Sequence, residues 1–434
     1  MNLTRISNIE QMNSECRSKK ITIIANRFHK AHLQEVGSFL RHSDFLVGHS
    51  TFELIGFEST TTRTTYAQDR FRFFLIVFFV SLWCLPSLAE DWPLFRGNPQ
   101  LTGVASSALP DKPETLWTSR IGGTESTAAI SGNTAYLGST DGSLYALDLA
   151  TGKVKWKFQA SDEIKSSPSV VQDTVYFGDE KGGFYAVSAT LGEKRWMFQA
   201  DAGITSSVNF HEDRILFGSY DNHLYCLSMK DGSLLWKLET ESYVHATPTI
   251  AGETAVVAGC DGFLRIADLR TGKEAQTIKL GGYVGASPAF YKGIVYLGTF
   301  TNKVVAMDLS SGKLLWEYEN TKQRFPYYSS PAVTEGMVII GGRDRAVHAL
   351  NSETGKQIWE FNAGAKVDSS PVITGTRVIV GTTSGMLYLL DLASGKQVWQ
   401  FETGSQILSS PAVANQKLVI GTKDGIVYCF GVKR

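Results

Sequence analysis

The sequence lacks most of the features that announce chemistry. Its five cysteines are scattered through 434 residues and no two are adjacent, which excludes a disulfide framework. Basic and acidic residues balance at 42 each, leaving no surplus of positive charge to hold a phosphate backbone, so nucleic-acid binding is not expected. There is no G-x-S-x-G elbow and no H-E-x-x-H helix, and His211, His223, His245 and His348 lie in four separate places. Buried free thiols are the expectation for Cys226 and Cys429, while Cys260 falls in a hairpin.

Long apolar runs are equally scarce. The one run is Phe73–Leu85, FFLIVFFVSLWCL, introduced by Arg70 and Arg72 and followed by Pro86 and Ser87-Leu88-Ala89. A positive leader, a 13-residue apolar core and a small-x-small site before Glu90 read as a secretory signal peptide over 70–89. The core is short for a membrane span, so membrane association is expected only through an uncleaved anchor or a partner. Trp83 ahead of Cys84 does not suit lipidation. The signal predicts export to the periplasm or the extracellular space. Residues 1–69 show no sustained period of two or of 3.6 and are expected to be a dispensable, poorly ordered extension, with translation starting further downstream.

What the chain has in abundance is a repeat. Trp156, Trp196, Trp236 and Trp316 stand on a 40-residue ladder with Gln276 on the empty rung, and after a three-residue insertion Trp359 and Trp399 resume it. Each unit opens on a small-residue run (SSPSV from Ser166, SSPAV from Ser329, SSPVI from Ser369). A β-branched stretch ending in Gly follows, then a hairpin, an alternating strand such as LYALD from Leu144, a T-G-K turn and the Trp-bearing strand. Four short strands every 40 residues with no helical stretch predict one propeller blade per repeat. The runs begin at Ser126, Ser166, Ser206, Ala246, Ala286, Ser329, Ser369 and Ser409, giving eight blades. The last unit ends after IVYCF (Ile426–Phe430) without a fourth strand, and Pro113–Ile121 has that strand's pattern, with Trp117 as a further member of the Trp set. The predicted fold is therefore all-β, an eight-bladed β-propeller over 113–434, closed by an N-terminal strand that completes the last blade and removes its open edge. Trp92 and Phe95 would be costly to leave in water, so residues 90–112 are expected to pack on the propeller.

The opening WPLFRG (Trp92–Gly97), the repeated SSPAV, the stretch Gly138–Asp148 and T-G-K-x-x-W (Thr151–Trp156) resemble the pyrroloquinoline-quinone-like repeat proteins over about Asp91–Arg434. That family includes calcium- and quinone-dependent dehydrogenases of alcohols and glucose, and a non-catalytic propeller subunit of the outer-membrane barrel-assembly machinery. Resemblance to the dehydrogenases would imply a Glu/Asn/Asp calcium cluster, a catalytic Asp and adjacent cysteines packing on pyrroloquinoline quinone. The Cys pair is missing, and spacings of 40 residues with one of 43 leave no large insertion to build a pocket. No cofactor is expected, with quinone and calcium as the alternative. The acidic hairpins at Thr140, Tyr220, Cys260 and Lys423 read as turn chemistry, since the dense ligand spacing of a calcium loop is absent.

One sector departs from this uniformity. The loop entering each first strand and the hairpin between the second and third strands emerge on the same side of a blade. There blades three to six carry Tyr220, Tyr243, His245, Tyr283, Phe300, Arg324, Phe325, Tyr327, Tyr328 and Arg343, where the other blades supply mainly Thr, Lys, Glu, Ser and Gln. The single insertion, TKQRFPYY (Thr321–Tyr328), lies among them, and Tyr and Arg anchor interfaces. The structural alternative is that several of these rings plug the central channel. The expectation is a monomeric, non-enzymatic scaffold that docks a protein or peptide partner through exposed anchors such as Phe325 and Tyr327. A degenerate quinone enzyme and a carbohydrate-binding propeller are the alternatives.

Overall fold

A computed structural model describes residues 90–433; the expectations for 1–69 and for the signal at 70–89 lie outside the described residues. Blade 1 consists of Ala129–Ser131, Thr134–Gly138, Ser143–Asp148 and Val154–Gln159, paired antiparallel in chain order from the axis outward. The same sheet recurs around the ring, and the all-β, eight-bladed propeller expected from the repeat is what forms. The second and third strands bury nearly every residue because neighbouring blades cover both of their faces. Outer strands such as Lys194–Gln199 alternate between exposed and half-buried side chains, as an edge must.

Ring closure follows the sequence prediction. Glu114–Arg120 pairs antiparallel with Ile426–Gly431, setting Trp117 opposite Cys429, and so completes the sheet of Ala412–Ala414 and Lys417–Gly421. In every blade a bulge interrupts the pairing of the last two strands beside the Trp position, as between Ala146 and Leu147 in blade 1, sharpening the twist at the rim. Each Trp then reaches the next blade. The indole N–H of Trp117 donates to the Leu149 carbonyl (3.1 Å), that of Trp156 to Ala189 (3.0 Å) and that of Trp236 to Leu269 (3.0 Å). The turn glycine of the following blade serves two needs: Gly152 has φ of 73°, and a Cβ there would lie 2.5 Å from the Trp117 ring. On the empty rung Gln276 takes the place of the indole against Gly312.

The small-residue runs line the axis, and their second residue is a hydroxyl in all eight blades. The backbone N–H of Thr127 donates to Ser167 Oγ, that of Ser167 to Ser207 and so on around the ring, until Ser410 N–H donates to Thr127 Oγ1; the eight bonds measure 2.9 to 3.2 Å. Beyond this ring, side chains of blades 2 to 4 reach the next blade's carbonyl: Ser169 donates to Val208 O, Asn209 to Pro248 O and Thr249 to Pro288 O.

Residues 90–112 cross the end of the axis opposite the aromatic sector and touch every blade. Trp92 pairs with Ile130, and carbonyls of Pro93, Pro99, Gln100, Thr102 and Gly103 accept N–H groups from the first strands of blades 2, 4, 5, 6 and 7. Asn209 of blade 3 also donates to Pro99, Val104–Ala105 adds a parallel strand to blade 7, and Ser107 and Glu90 bond blade 8. Trp92, Leu94 and Leu101 are fully buried beneath this crossing, and Phe95 is half-buried. Cys226 and Cys429 are buried free thiols and Cys260 is partly exposed, as the repeat register implied.

Candidate binding face

Two concentric sets of residues form the face at the open end of the axis. The inner set is the residue just before each small-residue run, and the outer set sits at the hairpin between the second and third strands. Backbone bonds fix one to the other: hairpin N–H groups of Tyr220, Cys260, Phe300 and Arg343 donate to the loop carbonyls of Gly203, Tyr243, Tyr283 and Pro326. Side chains in both sets are therefore presented by paired backbone, with little freedom left to the scaffold.

In blades 3 to 6 these positions interlock across the channel mouth. His245 lies between two phenols, its Nδ1 2.7 Å from Tyr220 Oη and its Nε2 3.1 Å from Tyr328 Oη. Burial holds the imidazole below its ordinary pKa, against a weaker upward pull from Glu180, so the neutral ring donates to one phenol and accepts from the other. Burial also pushes the Tyr328 phenol up to about 12. The Arg343 guanidinium lies 4.6 Å over the Tyr328 ring and grips Asp368 bidentately at 2.8 and 3.0 Å. Phe300 meets Tyr328 edge-on. Gly285 makes this packing feasible, because a Cβ there would come within 3.1 Å of both rings. Beside Tyr220, Glu180 accepts from Lys165 and from Thr205 Oγ1.

Around this fixed centre stand the exposed rings. Tyr243 is 52% exposed and stacked on Tyr220, with centroids 5.1 Å apart; Tyr283 is 64% exposed and Phe325 47%. Tyr283 and Phe300 border a hollow of about 410 Å³ with Gly281, Gly282 and Thr301. A second hollow of about 470 Å³ is lined by Arg345, Lys366, Asp368, Thr383 and Gln406. Arg324 is exposed and pairs with Glu319 at 3.1 Å.

Tyr327 corrects the expectation of an exposed anchor. It is 1% exposed, packed in the core shared by blades 5 and 6 with Ile340, Val338 and Trp316, and its Oη has no hydrogen-bond partner among the described residues. Counted back from Ser329, it occupies the position held by the buried Ile164, Ile204, Val244 and Val367 in other blades. That alignment was the signal available in the sequence. Asp368, Gly285 and the hollow between Arg345 and Gln406 were not singled out from the sequence either.

Comparison with known proteins adds to this geometry. A family model described as outer membrane protein assembly factor BamB matches residues 104–209, 192–327 and 326–433. Among curated proteins none matches the sequence. Similar solved structures include BamB from Moraxella catarrhalis, 18% identical, TM-score 0.63, covering 74% of this chain and all of that one. A computationally designed protein, Ika8, is 19% identical with a TM-score of 0.64, over 72% of this chain and 98% of its own. Quinohemoprotein alcohol dehydrogenase from Comamonas testosteroni is 12% identical, TM-score 0.68, over 80% and 81%. At such identities the likeness is one of fold.

Proposed function

The chain belongs to the family of outer membrane protein assembly factor BamB, and on that premise we propose that it is an exported, non-enzymatic propeller scaffold that docks a protein or peptide partner on its aromatic face, in the service of cell-envelope assembly. The observation that carries this reading is the contrast within one face. Tyr243, Tyr283 and Phe325 are large and exposed, yet they stand beside a hydrogen-bonded centre that holds the surface in one shape. Rigid aromatic anchors of this kind bind without first losing much conformational freedom.

The fold shared with an alcohol dehydrogenase supports a second reading, a quinone enzyme. Residues at the mouth do not fit the quinone and its calcium. The rings of Tyr220, His245 and Tyr328 contact one another across the mouth, and the hairpin carboxylates are spent on turns: Asp141 accepts from Ser143 N–H and Tyr145 Oη, Asp221 from His223 N–H and Tyr225 Oη. No group of three or more His, Cys, Asp or Glu among the described residues is placed to hold a metal. A sugar ligand could stack on Tyr283 or Phe325, and the same experiment separates it from a protein.

Photo-crosslinking residues placed at Tyr283 and Phe325 in the exported protein should trap one discrete protein in the envelope, and at Thr140 and Lys423 they should not. Phe325→Ala and Tyr283→Ala should each weaken that capture by about 1–3 kcal/mol. Equal trapping at all four positions, capture of glycan alone, or alcohol- or sugar-dependent dye reduction after adding quinone and calcium would each replace this reading.

A further inference from the structure

At the closed end of the axis sits a cation without a counter-charge. Arg96 and Gly97 both take positive φ, 65° and 83°, turning the Arg96 side chain back into the crossing segment. A Cβ on Gly103 would fall 1.9 Å from Nη2, so only glycine lets the guanidinium seat there. The residue is 1% exposed. Its Nη2 donates to the Pro331 carbonyl at 3.0 Å, serving blade 5, where Ala289 has no side-chain donor for that carbonyl; Nε and Nη1 are buried with no partner among the described residues. Burial alone drives its pKa down, to about 9, and no neighbouring carboxylate opposes the shift.

Pro331 directly follows Ser330, so the guanidinium lies one residue below the hydroxyl ring. Every hydroxyl of that ring already accepts a backbone N–H, and none donates to a protein acceptor among the described residues. The ring residues keep 2 to 6% exposure, whereas the residue before each is at 0 to 1%. The hydroxyls therefore face the lumen with their protons uncommitted. Eight hydroxyls with free protons thus ring the axis one residue above a buried, unpaired guanidinium. An uncompensated buried charge costs several kcal/mol, and water, which brings no charge, does not remove that cost.

We propose that the axial channel is a small-anion site, in which a halide-sized anion rests on the hydroxyl ring over Arg96. A spherical acceptor makes no directional demand on the hydroxyls around it. The crossing segment closes the far end of the axis.

Crystals of the mature chain grown without halide and then soaked in bromide test this. An anomalous bromine peak on the axis at the level of the hydroxyl ring is expected in the wild type and should vanish in Arg96→Met. In solution at constant ionic strength, replacing gluconate by bromide should raise Tm by roughly 2 °C per tenfold increase in concentration above Kd, opposite to bromide's general destabilising action. If the wild-type axis shows no anomalous peak, the proposal is wrong whatever the variant does. A peak of equal height in Arg96→Met would equally overturn the role given to the guanidinium.

Discussion

Adjacent residues in the one insertion have opposite fates, and the difference can be measured. Tyr327 points into the core and Tyr328 into the mouth, because consecutive side chains of an extended segment face opposite ways. Tyr327→Ala should therefore cost about 3–5 kcal/mol in urea unfolding, whereas Tyr327→Phe, which removes an unsatisfied buried hydroxyl, should be neutral or stabilising by up to about 1 kcal/mol. Phe325→Ala should stay within about 0.5 kcal/mol of wild type. An unchanged midpoint for Tyr327→Ala would mean the ring does not fill the core. His245 supplies a pH dependence. Its folded pKa lies below the ordinary 6.5, so the unfolded chain binds the proton more readily than the native one. Stability should be fully present above about pH 6.5 and decline as pH falls towards the folded value. Protonation would also make both ring nitrogens donors, against two phenols of which one now donates. Unfolding curves between pH 5 and 8 should lose part of their acid slope in His245→Gln. An NMR titration that finds His245 at or above 6.5 would contradict this.

At the scale of the strand, the Trp ladder joins blades through a ring at seven of the eight junctions, and at five of these the indole N–H also donates to a carbonyl of the next blade. Trp236→Ala should lower stability by about 3–5 kcal/mol, by loss of packing and of the bond to Leu269. Gln276→Ala, on the rung without an indole, should cost less than about 1.5 kcal/mol. Similar losses at both positions, read by chemical unfolding, would deny the ladder its role. The blades were legible in the sequence because spacing, turn glycines and the indole all repeat together, each reporting the same geometry. The missing fourth strand after Phe430 and the surplus one at Pro113–Ile121 identified the closure for the same reason. The hydroxyl ring was less legible. Thr127, Ser167 and their six equivalents read as merely small, and only the bonds between blades show that the oxygen matters more than the size. Tyr327 was misplaced because an insertion hides register: counting forward from Trp316 loses the repeat, and counting back from Ser329 restores it. Arg96 carried no periodic signal at all, since it lies outside the array and acts once.

For the whole molecule, the two N-terminal pieces do different work, and a truncation series separates them. A chain beginning at Glu90 keeps both the crossing segment and the closing strand and should fold with the full stability of the array. Removing residues up to Lys112 leaves the closing strand paired with Ile426–Gly431 but uncovers the axis, losing the burial of Trp92, Leu94 and Leu101 and the bonds to eight blades. At about 2–3 kcal/mol for each buried side chain, offset in part by the ordering of 22 or so residues that no longer occurs, the ring should persist as a monomer with a clearly lower Tm. Removing residues up to Arg120 also strips Trp117 and exposes the backbone of Ile426–Gly431, an unpaired edge able to recruit a second chain. That protein should elute as oligomers or aggregate on size exclusion with light scattering, while the chain beginning after Lys112 remains monomeric. The ordering of the three is what the architecture demands. If the chain beginning at Glu90 and the chain beginning after Lys112 shared one Tm, the crossing segment would contribute nothing to the array, and if the last two shared one elution volume, the closing strand would not be what completes the ring.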